Sequence, residues 1–131
     1  MENKIIHPEG WKAAKGYANG ILSNNGQLFI GGQIGWTRDQ IFEEKTFIGQ
    51  MEQTLNNIVV IVKAAGGDIK NIVRLTWYIK DKSEYLNNQK LIGEVYKRIM
   101  GKHYPAMSMI VVKDLIEDEA LLEIEATALI P

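Results

Sequence analysis

Two glutamates near the C-terminal end of the chain have a spacing that brings their carboxylates to one face of a strand. Glu123 and Glu125 alternate with apolar residues, and alternate side chains of a strand share a face. The strand rise puts the two positions roughly 7 Å apart, close enough for like charges to raise each other's pKa. A carboxylate in that state can hold and activate a water molecule. The alternative is a solvent-exposed or salt-bridged pair of glutamates on an edge strand.

Other candidates for chemistry are weaker. His7 and His103 are far apart, have no metal-ligand spacing around them, and are expected to be exposed loop histidines, with His7 in a mobile N-terminal segment. There is no cysteine, which excludes disulfides and thiolate chemistry. The glycine-rich segment 31–35 lacks the lysine and the following helix of a phosphate-binding loop. No metal or nucleotide site is therefore predicted.

The pattern of apolar residues predicts the elements that position the glutamates. Strands are expected at 20–23 and 27–32, joined by the turn 24–26, and then at 72–80, 106–113 and 119–130. Helical periodicity predicts a helix over 43–65 that stops at Gly66, and a second helix that begins at Asp81 or Ser83 and ends at Gly101. Two helices cover one face of a small sheet, so the second, largely apolar face predicts an oligomer.

The helix and strand periods of the apolar residues also predict which side chains share a face. On the first helix the predicted core positions are Ile48, Met51, Leu55, Ile58, Val59, Val62 and Ala65. On the second they are Leu91, Ile92, Val95, Tyr96 and Ile99. On the strand 72–80 one face is predicted to carry Val73, Leu75, Trp77 and Ile79, and the other Arg74, Thr76, Tyr78 and Lys80.

Composition bounds the class of protein. A length of 131 residues suits one domain spanning 1–131. Fifteen basic and sixteen acidic residues give a net charge of −1, without a basic patch that would attract nucleic acid. The N-terminus does not resemble a signal peptide and no apolar run is long enough to span a bilayer, so a cytoplasmic protein is expected.

Several short segments, taken in order, resemble the RidA/YjgF family of reactive-intermediate deaminases. They are residues 15–18, 28–35, 53–58, 64–67, 104–106 and 123–125. The resemblance implies a chorismate-mutase-like α/β (α+β) fold, with a mixed sheet and two helices packed on one face. It also implies a homotrimer with a central sheet barrel that binds small ligands in clefts between subunits. Active members hydrolyse enamine or imine intermediates, and no cofactor is implied.

The resemblance also implies site residues. Tyr17 matches the pocket tyrosine of the family, Gly32 the glycine whose backbone borders the ligand, and Glu123 the glutamate that positions the water. Ser108 keeps its place, and the pocket asparagine falls nearest Gln89, with Asn88 one residue away.

The main departure from the family is at position 107. The family's carboxylate-binding arginine is Met107 here, and a methionine cannot form the bidentate pair that an arginine forms with a carboxylate. Arg38 or Arg74 could supply a replacement charge. Trp36 is outside the common family pattern and is expected to line the cleft.

These residues leave three hypotheses open. The first is a hydrolase for a small enamine or imine, with standard 2-imino-acid deamination in doubt because of Met107. The second is a non-catalytic metabolite-binding or regulatory trimer, favoured by the apolar pair Met107 and Met109. The third, an endoribonuclease or translation inhibitor, is disfavoured by the charge balance.

Overall fold

The computed structural model describes residues 2–131 and contains one six-stranded mixed sheet. Its strands are β1 (Lys4–Ile6), β2 (Gly20–Leu22), β3 (Gln27–Ile34), β4 (Ile72–Ile79), β5 (Ala106–Val111) and β6 (Leu122–Leu129). They lie in the order β1-β2-β3-β6-β4-β5. β4 and β5 are parallel, and the other neighbours are antiparallel. The predicted mixed sheet and the hairpin between β2 and β3 are confirmed.

The glutamate-bearing strand β6 lies in the middle of the sheet, between β3 and β4. Its side chains alternate as predicted: Leu122, Ile124, Ala126 and Ala128 are buried in the core. Glu123, Glu125 and Thr127 are only partly buried and lie on the opposite face. The alternative of an edge-strand pair of glutamates is therefore wrong. We refer to the face that carries Glu123 as the open face and to the other as the helix face.

Residues 2–131 contain three α-helices, and α1 packs on the helix face of the sheet. α1 (Phe47–Ala64) contacts β3 and β6, and α3 (Gln89–Met100) packs against α1. The prediction of one long second helix is wrong, because that segment is divided into the short α2 (Lys82–Leu86) and α3. The break falls at Asn87 and Asn88, whose side chains compete with the backbone for hydrogen bonds and so favour helix ends. None of the helices within residues 2–131 has the length and apolar character needed to cross a membrane.

A bulge in β4 changes one predicted core position. The register between β4 and β6 shifts between Ile72 and Arg74, and a bulge of this kind places two residues opposite one. Ile72 and Leu75 are consequently both buried, whereas Val73 is 39% exposed. The assignment of Val73 to the core face is therefore wrong, and the assignments of Leu75, Trp77 and Ile79 are confirmed.

The histidines match the sequence prediction only in part: both lie in loops as expected, and His7 is exposed. Lys4–Ile6 pairs with β2 as an edge strand, so His7 directly follows a strand instead of lying in a mobile segment. Its Nε2 lies 3.0 Å from the carbonyl oxygen of Trp11. His103 is partly buried, and its Nε2 lies 2.6 Å from the carbonyl oxygen of Ile72. It therefore connects the loop after α3 to the start of β4.

Two buried amides on α1 hold the ends of the strands that flank the open-face carboxylates. Gln50 donates to the carbonyl oxygens of Glu44 and Glu119 at 3.1 and 2.9 Å and accepts from the backbone N–H of Leu121 at 2.8 Å. Asn57 donates to the carbonyl oxygens of Ile34 and Trp36 at 3.2 and 2.8 Å. Helical periodicity of apolar residues could not identify these positions, because their side chains are polar and yet buried.

We expect Asn57→Ala to destabilise the protein, because it removes the side-chain donor to the carbonyl oxygens of Ile34 and Trp36. The expected loss is about 1–3 kcal/mol of the free energy of unfolding, measured by urea denaturation at one fixed protein concentration. Asn56 is the matched control, since it is the neighbouring asparagine on the same helix and is exposed. Asn56→Ala should change stability by less than about 0.5 kcal/mol. Equal losses in the two variants would contradict the role assigned to Asn57.

Candidate functional site

The carboxylate of Glu123 lies directly against the backbone of Gly32. Glu123 is opposite Ile34 of β3 and Tyr78 of β4, and a Cβ atom built on Gly32 would overlap the Glu123 carboxylate. Only glycine leaves this space free, so any larger residue at position 32 would displace the carboxylate. Two residues that the resemblance associates with the site are therefore in contact within one chain.

A buried hydrogen-bond network fixes the backbone beside Gly32. The register between β3 and β6 shifts between Ile30 and Gln33, which places a bulge at Gly31 and Gly32. The N–H of Gly31 donates to the carbonyl oxygen of Asn19 at 2.9 Å. The side-chain amide of Gln33 donates to Asn19 Oδ1 at 3.2 Å and to the carbonyl oxygen of Gly31 at 3.1 Å. Asn19 and Gln33 therefore position the site, although nothing in their sequence context indicates it.

Glu125 has a specific partner on the neighbouring strand. The hydroxyl of Tyr78 donates to Glu125 Oε1 at 2.6 Å, while the backbone of Tyr78 lies opposite Glu123. This hydrogen bond, followed by burial, raises the pKa of Tyr78. Tyr78 therefore remains a neutral hydrogen-bond donor to Glu125.

The surroundings of Glu123 shift its pKa. Burial, and then the negative charge of Glu125, raises the pKa of Glu123 above its ordinary value of 4.5. This is the direction predicted from the strand spacing. A carboxyl group with a raised pKa takes up and returns a proton closer to neutral pH, as general acid–base catalysis requires.

Arg74 and Thr76 lie farther along the same open face, in a groove of about 350 Å³ that is also lined by Phe29, Glu125 and Thr127. Arg74 is exposed. A cation is therefore present in the same groove as Glu125, on the strand face predicted for it.

Met107 and Gln89 occupy a different region, on the helix face. In the parallel pairing of β4 and β5, Met107 is opposite Leu75, whereas Ser108 is opposite Thr76. Met107 therefore points to the helix face and Ser108 to the open face. With Met109 and Gln89, Met107 borders a groove of about 200 Å³ between β5 and α3, lined also by Trp77, Tyr85, Ile92, Gly93, Tyr96 and Tyr104.

Tyr17 and Trp36 meet in a third place, in the loops that precede β2 and follow β3. They border a groove of about 230 Å³, lined also by Lys12, Ala13, Lys15, Gln40 and Glu117. The two lysines add positive charge that sequence reasoning did not assign to a site. Arg38 does not line this groove, although its carbonyl oxygen accepts from the N–H of Lys12 at 2.9 Å. Its guanidinium is exposed and packs near Gly10.

The residues singled out from the sequence thus form three groups within one chain. Gly32, Glu123 and Ser108 lie on the open face, Gln89 and Met107 lie on the helix face, and Tyr17 and Trp36 lie in the loops. Within residues 2–131, no group of three or more His, Cys, Asp or Glu side chains is arranged to hold a metal ion.

Comparison with known proteins gives a consistent family. A family model described as endoribonuclease L-PSP matches residues 8–130. A RutC family protein of Pyrococcus horikoshii, PH0854, is 33% identical over 135 residues, covering 98% of this chain and 98% of that protein. Reactive Intermediate Deaminase A of the Arabidopsis thaliana chloroplast is 29% identical over 110 residues, covering 82% of this chain and 54% of that protein.

The fold leads to the same family. The crystal structure of Escherichia coli TdcF with bound serine superposes with a TM-score of 0.81 at 32% identity, covering 98% of this chain and 99% of that one. Because the family match extends over nearly all of the sequence and full-length relatives share its fold, this chain belongs to the RidA/YjgF family.

Proposed function

We propose that this protein hydrolyses a small enamine- or imine-type metabolite in a cleft between subunits, with Glu123 positioning the attacking water. The observation that carries the proposal is the half-buried carboxylate of Glu123, which lies against the glycine backbone at Gly32 and has a raised pKa. The names of two relatives are compatible with it, one a reactive intermediate deaminase and the other solved with serine bound.

The chemistry needs one water and one proton relay. Water adds to the carbon of the C=N bond while Glu123 accepts a proton from it, and the substrate nitrogen takes up a proton. The resulting carbinolamine expels ammonia and leaves a carbonyl product, so that an imine and water give a carbonyl compound and ammonia. A single carboxyl group can serve both proton transfers when its pKa lies near the working pH.

The separation of Glu123 from Met107 supports a site made by two chains. The two residues lie on opposite faces of the sheet, with Met107 on an edge strand. A ligand can therefore contact both only if the edge of one chain approaches the open face of another. Phe29 and Ile110 on the open face are 49% and 45% exposed, and apolar groups at this density are typical of an interface. We propose a homotrimer whose open faces pack together.

Met107 sets the expected substrate range. An arginine at this position would offer two charge-assisted hydrogen bonds to a substrate carboxylate, and Met107 offers none. None of the side chains that line the groove beside Met107 is charged. The preferred substrate on this account lacks a carboxylate at that end, and Lys12 and Lys15 would serve an acidic group only from the loop groove.

A non-catalytic metabolite-binding protein is the second candidate. Its specific support is the uncharged groove with Met107 and Met109, since methionines adapt to varied apolar ligands. It differs from the first candidate in making Glu123 dispensable for function.

We expect Glu123→Gln to lower the rate of ammonia release from a neutral enamine by about 10²–10⁴-fold, because the amide cannot accept a proton from water. Release is measured against the spontaneous rate in buffer. Glu94→Gln is the control, since Glu94 is exposed on α3, and it should leave the rate unchanged.

A loss of activity in Glu123→Gln cannot be attributed to unfolding, because the ionised form of Glu123 destabilises the folded state. With a raised folded pKa, its contribution to stability is present below about 4.5 and is lost as pH rises through the folded value. Glu123→Gln should therefore be at least as stable as the wild type at neutral pH. Unchanged ammonia release from a folded Glu123→Gln variant would remove the hydrolase proposal.

We expect Met107→Arg to raise the hydrolysis of freshly generated 2-aminoacrylate by about tenfold or more. Charge-assisted hydrogen bonds contribute about 1.5–3 kcal/mol each, and about 1.4 kcal/mol corresponds to a factor of ten. Met109→Arg is the matched control, two positions along the same face of β5. An equal gain in both variants, or no gain in Met107→Arg, would contradict the role assigned to position 107.

A further inference from the structure

The groove between β5 and α3 is built mainly from aromatic rings and methionines. Its aromatic side chains are Trp77, Tyr85, Tyr96 and Tyr104, with Met107 and Met109 along the strand and Gln89 at its polar end. Its volume of about 200 Å³ is somewhat larger than the roughly 150 Å³ of an apolar cavity known to accept benzene. A single substituted ring therefore matches its size.

A glycine within α3 keeps this groove open. Gly93 lies inside the helix Gln89–Met100, and a Cβ atom built on it would meet no heavy atom within 4 Å. Its torsion angles are helical, so the backbone does not require glycine, which is a poor helix former. The space above Gly93 belongs to the groove, and any larger side chain would reduce it.

The walls of the groove are held in place before any ligand arrives. The rings of Tyr96 and Tyr104 are stacked, with centroids 5.4 Å apart and planes inclined by 16°. The hydroxyl of Tyr96 donates to the carbonyl oxygen of His103 at 2.8 Å. The ring Nε2 of His103 in turn lies in hydrogen-bond contact with the carbonyl oxygen of Ile72 at the start of β4. Tyr96 is thus fixed and buried, whereas Tyr104 is 65% exposed and offers its ring to a planar group that can stack on it.

The groove favours an uncharged ligand that carries a hydrogen-bond acceptor. No lining side chain is charged, and burial raises the pKa of Tyr96 to about 12, so that its phenol stays neutral. The indole Nε1 of Trp77 is the one buried side-chain nitrogen or oxygen within residues 2–131 that lacks a hydrogen-bond partner. Methionine side chains are flexible, so a ligand can displace those beside Trp77 and bring an acceptor to this N–H.

We propose that the groove beside Gly93 binds an uncharged planar ring with a carbonyl-type acceptor, which packs against the stacked pair of Tyr96 and Tyr104 and accepts a hydrogen bond from Trp77. The assignment of this ring to the substrate rests on the proposed function, whereas the binding site itself does not. The preferred substrate would then be a neutral aromatic or heteroaromatic enamine or imine.

The test compares three ligands of one shape and different charge: benzamide, benzoate and benzamidine. Binding to the full-length protein is followed by calorimetry and by the indole N–H resonance of Trp77. We expect benzamide to bind once per chain and to shift that resonance, and the two ions to bind at least about tenfold more weakly because burying a charge in this groove is costly. Equal or tighter binding of either ion would overturn the proposal.

Gly93→Leu should abolish benzamide binding, and Glu94→Leu should leave it unchanged, because the adjacent helix position is exposed and lies outside the groove. Gly93→Ala, which favours the helix, serves if the leucine variant does not fold, and should weaken binding. Binding that survives at Gly93→Leu would overturn the proposal. The proposal would also be overturned if the wild type did not bind benzamide and Gly93→Leu, but not Glu94→Leu, changed the oligomeric state. A second copy of the chain would then fill the groove.

Failure of this proposal is distinguishable from failure of the hydrolase proposal. Benzamide binding is measured without turnover, whereas the hydrolase is tested by ammonia release in Glu123→Gln. If the protein binds benzamide but releases no ammonia, the binding-site proposal stands and the hydrolase proposal fails. If the protein releases ammonia but does not bind benzamide, the hydrolase proposal stands and the binding-site proposal fails.

Discussion

Two amide side chains on one side of α1 hold the strands that carry the candidate site. The side chain of Asn57 donates hydrogen bonds to backbone carbonyl oxygens at and just after the end of β3. The side chain of Gln50 forms hydrogen bonds with the backbone just before β6. Gly32 and Glu123 lie just inside these two anchored points, where any side chain at position 32 would displace the Glu123 carboxylate. The carboxylate is therefore positioned by the helix through the backbone, and its raised pKa follows from that enforced burial.

The division of the sheet into two faces determines how any site can form. Glu123 faces away from the helices, while Met107 faces towards α3 from the edge strand β5. The open face carries the proton-transfer group, and Arg74 lies farther along it in the groove of Glu125. The helix face carries an uncharged groove with no candidate base among its lining residues. The proton-transfer group and the Met107 groove thus lie on opposite faces of one chain. A cleft between neighbouring subunits would bring them together.

Strand periodicity predicted much of this arrangement, because burial alternates strictly along β6. It placed Glu123 and Glu125 on one face and gave the direction of the pKa shift at Glu123. The bulge at Val73 was not predictable, since the residue is apolar in an apolar strand and only the register with β6 exposes it. Asn19, Gln33, Gln50 and Asn57 also escaped prediction, because polar side chains reveal their burial only through partners distant in sequence. Family resemblance identified Met107 but could not show which face of the sheet it occupies.

In the proposed function, one active cleft takes Glu123 from one chain and the Met107 groove from its neighbour. A mixture of Glu123→Gln and Met107→Asp tests this arrangement by ammonia release from a neutral enamine, with mixed oligomers verified by native mass spectrometry. Each variant alone is expected to release little ammonia, because the first lacks the proton acceptor and the second buries a charge in the groove. If clefts lie between subunits of a cyclic oligomer, random mixing at equal amounts restores roughly a quarter of them. The account predicts activity near that fraction of the wild type. Mixed oligomers with no more activity than the two variants measured separately would contradict it.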